Sequence, residues 1–188
     1  FKVQISGNSV NSTLARALSR VTIIDNDTIV PTPRVFVRDL VVDESAGVVD
    51  VPVVLGGPLG EASNDPVTVN FATGDGTAVA GSDYTATSGT LTFQPGQTVK
   101  RVPVAITEDV AKETAKRFKV SLSSQGGATI GDSTGTVVIG ANDAPKVSKP
   151  LISLGPDMVI GEGDGYVDVP ITLSAPAIDT VTVTVADF

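Results

Sequence analysis

Between residues 34 and 143 hydrophobic side chains recur at every second position. Val49, Val51, Val53 and Leu55 alternate with Asp50, Pro52 and Val54, and Val67, Val69 and Phe71 with Thr68 and Asn70. Leu91 and Phe93 alternate with Thr90, Thr92 and Gln94, and Val102, Val104 and Ile106 with Pro103 and Ala105. Phe118, Val120 and Leu122 follow, then Val137 and Ile139. A period of two over runs of four to eight residues, rich in β-branched side chains, predicts half-buried antiparallel strands. Gly56-Gly57-Pro58, Gly74-Asp75-Gly76, Pro95-Gly96 and Gly126-Gly127 supply the turns between them. About seven such strands in one unit predict an all-β chain folded as an immunoglobulin-like antiparallel β-sandwich. Pro52 and Pro103 lie inside strands and are expected at edge or unpaired positions, because proline donates no ladder hydrogen bond. The stretch Asp109–Arg117, compatible with a short helix, reads as a loop between strands. Tyr84, Phe93 and Phe118 fall on inward-facing positions and are expected in the core.

The pattern repeats. FKVQISGNSVNSTLARALSRVTIIDND at the N-terminus echoes FKVSLSSQGGATIGDSTGTVVIGAND from Phe118, a step of 117 residues. RDLVVDESAGVVDVPVVL echoes PDMVIGEGDGYVDVPITL, with Asp39 matching Asp157 and Pro52 matching Pro170, a step of 118. Two independent echoes at nearly the same period mean tandem copies of a single unit. The expected organisation is the end of a preceding copy at 1–33, a complete copy at 34–145 and the start of a following copy at 146–188. Pro31-Thr32-Pro33 and the segment from Ala144-Pro145 to Pro150 read as linkers.

Composition narrows the chemistry. Hydrophobic residues at 41% against 18% charged exclude a disordered polyelectrolyte. No apolar run approaches the ~20 residues that span a bilayer. With neither histidine nor cysteine, His-dependent nucleophile systems, thiolate catalysis, disulfides and His- or Cys-ligated metals are excluded. A net charge of −8 disfavours nucleic acid as a partner and favours cations. No carboxylate pair is singled out by spacing, and the chain is read as non-enzymatic. Asp75 in Gly-Asp-Gly reads as a turn residue, and Asp50 and Asp132 as solvated. The start at Phe1 without Met or signal peptide reads as an excerpt of a longer protein.

Gly76–Thr98 reads GTAVAGSDYTATSGTLTFQPGQT, followed by VKRVPVAITED and ETAKRFKVSLS. Gly-Ser-Asp-Tyr, Gly-Thr-Leu-Thr-Phe, Pro-Gly, Ile-Thr-Glu-Asp and Phe-Lys-Val-Ser-Leu in this order resemble the Calx-beta domain, the repeat associated with the regulatory part of sodium–calcium exchangers and also found in large surface and adhesion proteins. The resemblance covers 34–143 and fits both partial copies. It implies a two-sheet sandwich with calcium at one end. The residues that match its ligand positions are Glu44, Asp83, Glu108, Asp109, Glu113, Asn142 and Asp143. Oxygen donors from several loops suit calcium, which takes six to eight of them. Two positions depart from the family pattern: Lys116 and Ala141 stand where acids are usual. The loop from Glu108 to Lys119 carries three acids against Lys112, Lys116, Arg117 and Lys119, so fewer ions or lower affinity are expected. Lys116 is expected to pair with Glu113 or Asp109. Asp25-Asn26-Asp27 closes the preceding copy with two acids, and Glu162 alone among the ligand positions is present in the following one.

The resemblance implies a calcium-binding structural and interaction module in a multi-repeat secreted or cell-surface protein, serving adhesion or cell communication and reaching the membrane through other parts of the chain. The alternative is a regulatory calcium-sensor domain of a membrane transporter. Expected partners are calcium and neighbouring repeats. Because each end carries complementary parts of one fold, the start of one molecule is also expected to pack on the end of another, giving head-to-tail association.

Overall fold

The computed structural model describes residues 1–188 apart from 26, 141, 156 and 163–166, and within them the regular structure is strand and short 3₁₀ turns. The first segment carries β1 (Lys2–Ser6), β2 (Thr13–Arg16), β3 (Leu18–Ile24) and β4 (Thr28–Ile29). The central one carries β5 (Arg34–Val37), β6 (Leu40–Asp43), β7 (Val48–Leu55), β8 (Glu61–Ala62), β9 (Val67–Gly74), β10 (Ser88–Phe93), β11 (Val99–Ala105), β12 (Lys116–Gly126), β13 (Thr129–Asp132) and β14 (Thr134–Gly140). The last carries β15 (Leu151–Leu154), β16 (Met158–Gly161), β17 (Ile171–Leu173) and β18 (Thr184–Asp187).

The central strands build a sandwich of two sheets, ordered β10-β9-β12-β14-β6 and β11-β7-β5-β13. The alternating residues meet between them: Val51, Val53, Val67, Val69, Phe93, Val102, Phe118, Val120 and Val137 are fully buried in one core. Each such side chain removed from water contributes about 1.5–3 kcal/mol. Tyr84 stacks on Phe118 with ring centroids 4.2 Å apart, as its expected core position requires. Residues 107–115 form no regular element, so the loop reading of that stretch holds up to the start of β12.

The strand count exceeds seven because two strands change sheets. The entering strand breaks after Val37, leaving β5 in one sheet and β6 in the other, and the exit strands β13 and β14 divide likewise. The all-antiparallel expectation is corrected at these places: β13 runs parallel to β5 and β14 parallel to β6. A strand entering and a strand leaving the unit share a direction wherever they pair. Pro103 lies on β11, the edge strand of its sheet. Pro52 is on β7, an inner strand, which corrects the edge half of the expectation. Its carbonyl accepts from Arg38 N at 3.0 Å, so its nitrogen faces the same side, where β5 has already ended.

The two outer segments pair with each other. Their strands form sheets β16-β3-β1-β18 and β17-β15-β2 around Val3, Ile5, Ile152 and Leu154. Aligned by the repeat, each of their ladders has the register of one in the central sandwich. Met158 opposes Val21 as Leu40 opposes Val137, and Ile152 opposes Leu173 as Val35 opposes Leu55. Ile152 also opposes Leu14 as Val35 opposes Ile130, and Ile5 opposes Val185 as Leu122 opposes Phe71. Within this chain, each end pairs with the other. Counterparts of β10 and β11 are not among the described strands of this second assembly.

Candidate metal centre

Three backbone features gather the acids at one end of the central sandwich. After β6 the chain turns through a 3₁₀ turn at Glu44–Ala46, capped by Asp43, whose carboxylate accepts from Ser45 N at 2.9 Å, and closed by Gly47 at φ +73°. The Gly47 carbonyl accepts from Ile106 N at 2.7 Å, tying this turn to the start of the 107–115 loop. Thr107 N in turn donates to the Asp83 carbonyl at 2.9 Å. Glu44, Asp83 and the loop are therefore held together by main-chain bonds before any ion is considered.

Glu44, Asp109 and Glu113 each offer a carboxylate oxygen within 4.8 Å of the others. Glu44 is buried at 4% exposure and its Oε2 has no hydrogen-bond partner. Asn142 Oδ1 and Asp143 Oδ2, just beyond β14, are likewise buried without partners. Burial pushes the Glu44 carboxyl above its usual range, and the charges of Asp109, Glu108 and Asp143 push it further, while Lys116 acts the other way. A polar side chain this buried without a partner costs free energy. Asn142 Nδ2 donates to both oxygens of Glu108, at 2.9 and 3.1 Å. All seven residues matched to ligand positions thus lie at one end of the sandwich.

Asp83 is held by bonds within the protein. Its Oδ2 accepts from Val79 N at 2.6 Å and its Oδ1 from Lys116 Nζ at 2.5 Å. Burial raises the Asp83 carboxyl, but the Lys116 hydrogen bond, the Val79 amide and the ammonium charge outweigh it and hold the group below its ordinary value. Lys116 also pairs with Glu113. The expected Glu113 pairing is present, and Asp83, not Asp109, is the second partner. A cavity of about 10 Å³ lies among Glu44, Asp83, Glu113, Thr114, Lys116 and Ile139, of the order of one water-sized sphere. Ala141 and Asn26 lie outside the described residues.

Asp75 is a turn residue with a structural task. Its Oδ1 accepts from Tyr84 OH at 2.6 Å and Ala80 N at 2.9 Å, so it anchors the ring stacked in the core. The Tyr84 phenol is pushed up to about 12, by burial first and then by this bond. Gly-Asp-Gly marks a turn without showing which tyrosine it reaches.

The Calx-beta domain family matches residues 19–143. The chain belongs to that family. It is 39% identical over 103 residues to sodium/calcium exchanger 1 of Rattus norvegicus, a match covering 54% of this chain and 10% of the exchanger. It is 36% identical over 87 residues to sodium/calcium exchanger 2 of Homo sapiens, covering 46% and 9%. The matched segment thus spans about a tenth of these relatives' length. Among solved structures, the apo-form Calx CBD1 domain superposes with a TM-score of 0.52 at 28% identity, covering 57% of this chain and 96% of that one. CBD12 from CALX1.2 superposes at 0.53 with 28% identity, covering 58% and 46%. The central unit is a β-sandwich of the Calx-beta kind.

Proposed function

We propose that this chain is a calcium-binding regulatory module of a membrane transporter, with Glu44, Asp109 and Glu113 as the inner ligands and Glu108, Asn142 and Asp143 around them. The observation that carries this reading is the unpartnered, buried Glu44 Oε2 facing two further carboxylates. A hard cation with six to eight oxygen ligands satisfies such a group and cancels the repulsion around it. The donors are oxygens only, which suits calcium over softer metals. The similar proteins are ion exchangers, which favours the transporter setting over adhesion and gives the extracellular placement no support. The module binds and does not catalyse, and other Calx-beta units of the same protein are its natural neighbours.

An ion bound only by the folded state adds RT ln(1 + [L]/Kd), about 2.7 kcal/mol at a hundredfold excess over Kd. Thermal unfolding in millimolar calcium is expected to lie several degrees above that in chelator, and Glu44→Gln to remove most of the difference. Equal midpoints for the parent protein in the two buffers would refute calcium binding at this site.

A further inference from the structure

The loops that gather the acids also expose apolar side chains. Among the described residues of the central sandwich, the exposed large hydrophobics are Val48, Leu59, Val79 and Val110. Leu59 lies in the turn after β7, whereas the three valines lie on the loops that carry Glu44, Asp83 and Asp109. One exposed valine is ordinary, but apolar groups collected around one centre mark a contact surface.

Each valine is fixed in place by the main-chain bonds of its loop. Val48, 63% exposed, follows Gly47, whose carbonyl accepts from Ile106 N. Val79, 48% exposed, donates its own amide to Asp83 Oδ2. Val110 is 90% exposed beside Asp109, whose Oδ1 accepts from Ala111 N at 2.6 Å and so folds a turn with Val110 at its tip. Lys112, two residues further on, is exposed as well.

Charge decides what such a surface meets. Residues 43–48, 77–84 and 107–117 carry six acids against three bases, so without an ion this end repels an anionic surface. Each calcium bound there adds two positive charges and, as a hard cation, takes further oxygen ligands from outside the protein. A bilayer with anionic headgroups offers both complements: phosphate oxygens for the ion and Lys112, and an apolar layer beneath for the valines. A soluble phosphate offers only the first.

Resting on calcium occupancy of this centre, we propose that this end of the central sandwich is a calcium-dependent docking surface for an anionic phospholipid bilayer. Val48, Val79 and Val110 enter the headgroup layer, and Lys112 pairs with lipid phosphate.

Sedimentation of the full chain with vesicles of phosphatidylcholine and phosphatidylserine tests it. Binding is expected in calcium, and neither in chelator nor with phosphatidylcholine alone. Val110→Asp is expected to weaken it about tenfold and Lys112→Ser about fivefold, while both variants keep the calcium-dependent rise in melting temperature. The chain has no tryptophan, so Val110→Trp reports on the tip alone, and its emission is expected to move to shorter wavelength when the mixed vesicles are added in calcium. Absence of sedimentation in calcium, with the melting shift intact, would overturn the docking and leave calcium binding standing; equal midpoints in calcium and chelator would overturn both. Undiminished sedimentation of Val110→Asp would also overturn the docking. So would an emission shift of Val110→Trp in calcium before vesicles are added, by placing a protein surface over the tip.

Discussion

Lys116 places a built-in cation among the carboxylates. Its ammonium meets Asp83 and Glu113 at once, so it neutralises part of the charge that would otherwise draw ions, and ligand charge is one quantity that sets calcium affinity. Lys116→Glu is expected to tighten calcium binding tenfold or more, or to add an ion, as read by calorimetric titration; tenfold corresponds to about 1.4 kcal/mol. The same variant is expected to melt lower in chelator, because Asp83, with a side chain only 6% exposed, loses its partner. Unchanged stoichiometry and affinity would place Lys116 outside the ion's reach. Tyr84 gives a second test. Its phenol is raised in the folded state, so its stabilising contribution is complete below the ordinary value of 10 and is lost as pH rises through about 12. Alkaline unfolding in that window is expected to flatten in Tyr84→Phe, with circular dichroism as the readout. The acids at this end were legible from family spacing, because ligand positions sit at fixed distances from strand ends. The Lys116–Asp83 bond was not, since a side chain with four methylenes reaches partners 33 residues away in sequence.

Periodicity found the strands because burial alternates along them, and Val49, Val51 and Val53 are buried as the pattern requires. It could not show that the first strand is cut at Arg38-Asp39. Hydrophobic alternation continues on either side, and the sheet change depends on where tertiary partners lie. Gly135 helps make the cut: a Cβ there would stand 2.7 Å from the Arg38 carbonyl. Turn chemistry is the other determinant of the elements. Gly56 ends β7 at φ +79°, and a Cβ there would lie 1.8 Å from the Glu61 carbonyl oxygen. Glu61 in turn holds the linker, accepting from Arg34 N at 2.8 Å. Gly56→Ala combines a disfavoured backbone with a main-chain clash, and a loss of about 3 kcal/mol or more is expected in denaturant titration. Gly96→Ala is the comparison: it shares a positive φ but meets open space, and a loss of about 1 kcal/mol is expected.

Over the whole molecule, the two outer segments pair with each other. Lys2 and Phe188 exchange both main-chain hydrogen bonds, at 3.0 and 3.1 Å, and β4 pins the following linker to β8 of the central sandwich. Light scattering is expected to give one chain per particle at micromolar concentration, and deletion of residues 1–29 to expose the Ile152–Leu154 cluster and lower solubility; a stable dimer of the intact chain would mean that ends are exchanged between molecules. The repeat in the sequence announced two complementary halves but carried no information on which chain supplies the partner, since that depends on how far a linker can reach. The parallel pairing of β6 with β14 also decides how the chain responds to tension. Pulled at residues 34 and 143, these strands slide in opposite directions along their length, so the whole ladder from Leu40–Val137 to Asp43–Gly140 is loaded in shear and must yield together. Pulled at Phe1 and Phe188, antiparallel β1 and β18 peel apart one bond at a time. The central sandwich is therefore the mechanically strong link, and the acids that follow its two sheared strands place any bound ion at the end of the element that bears the force.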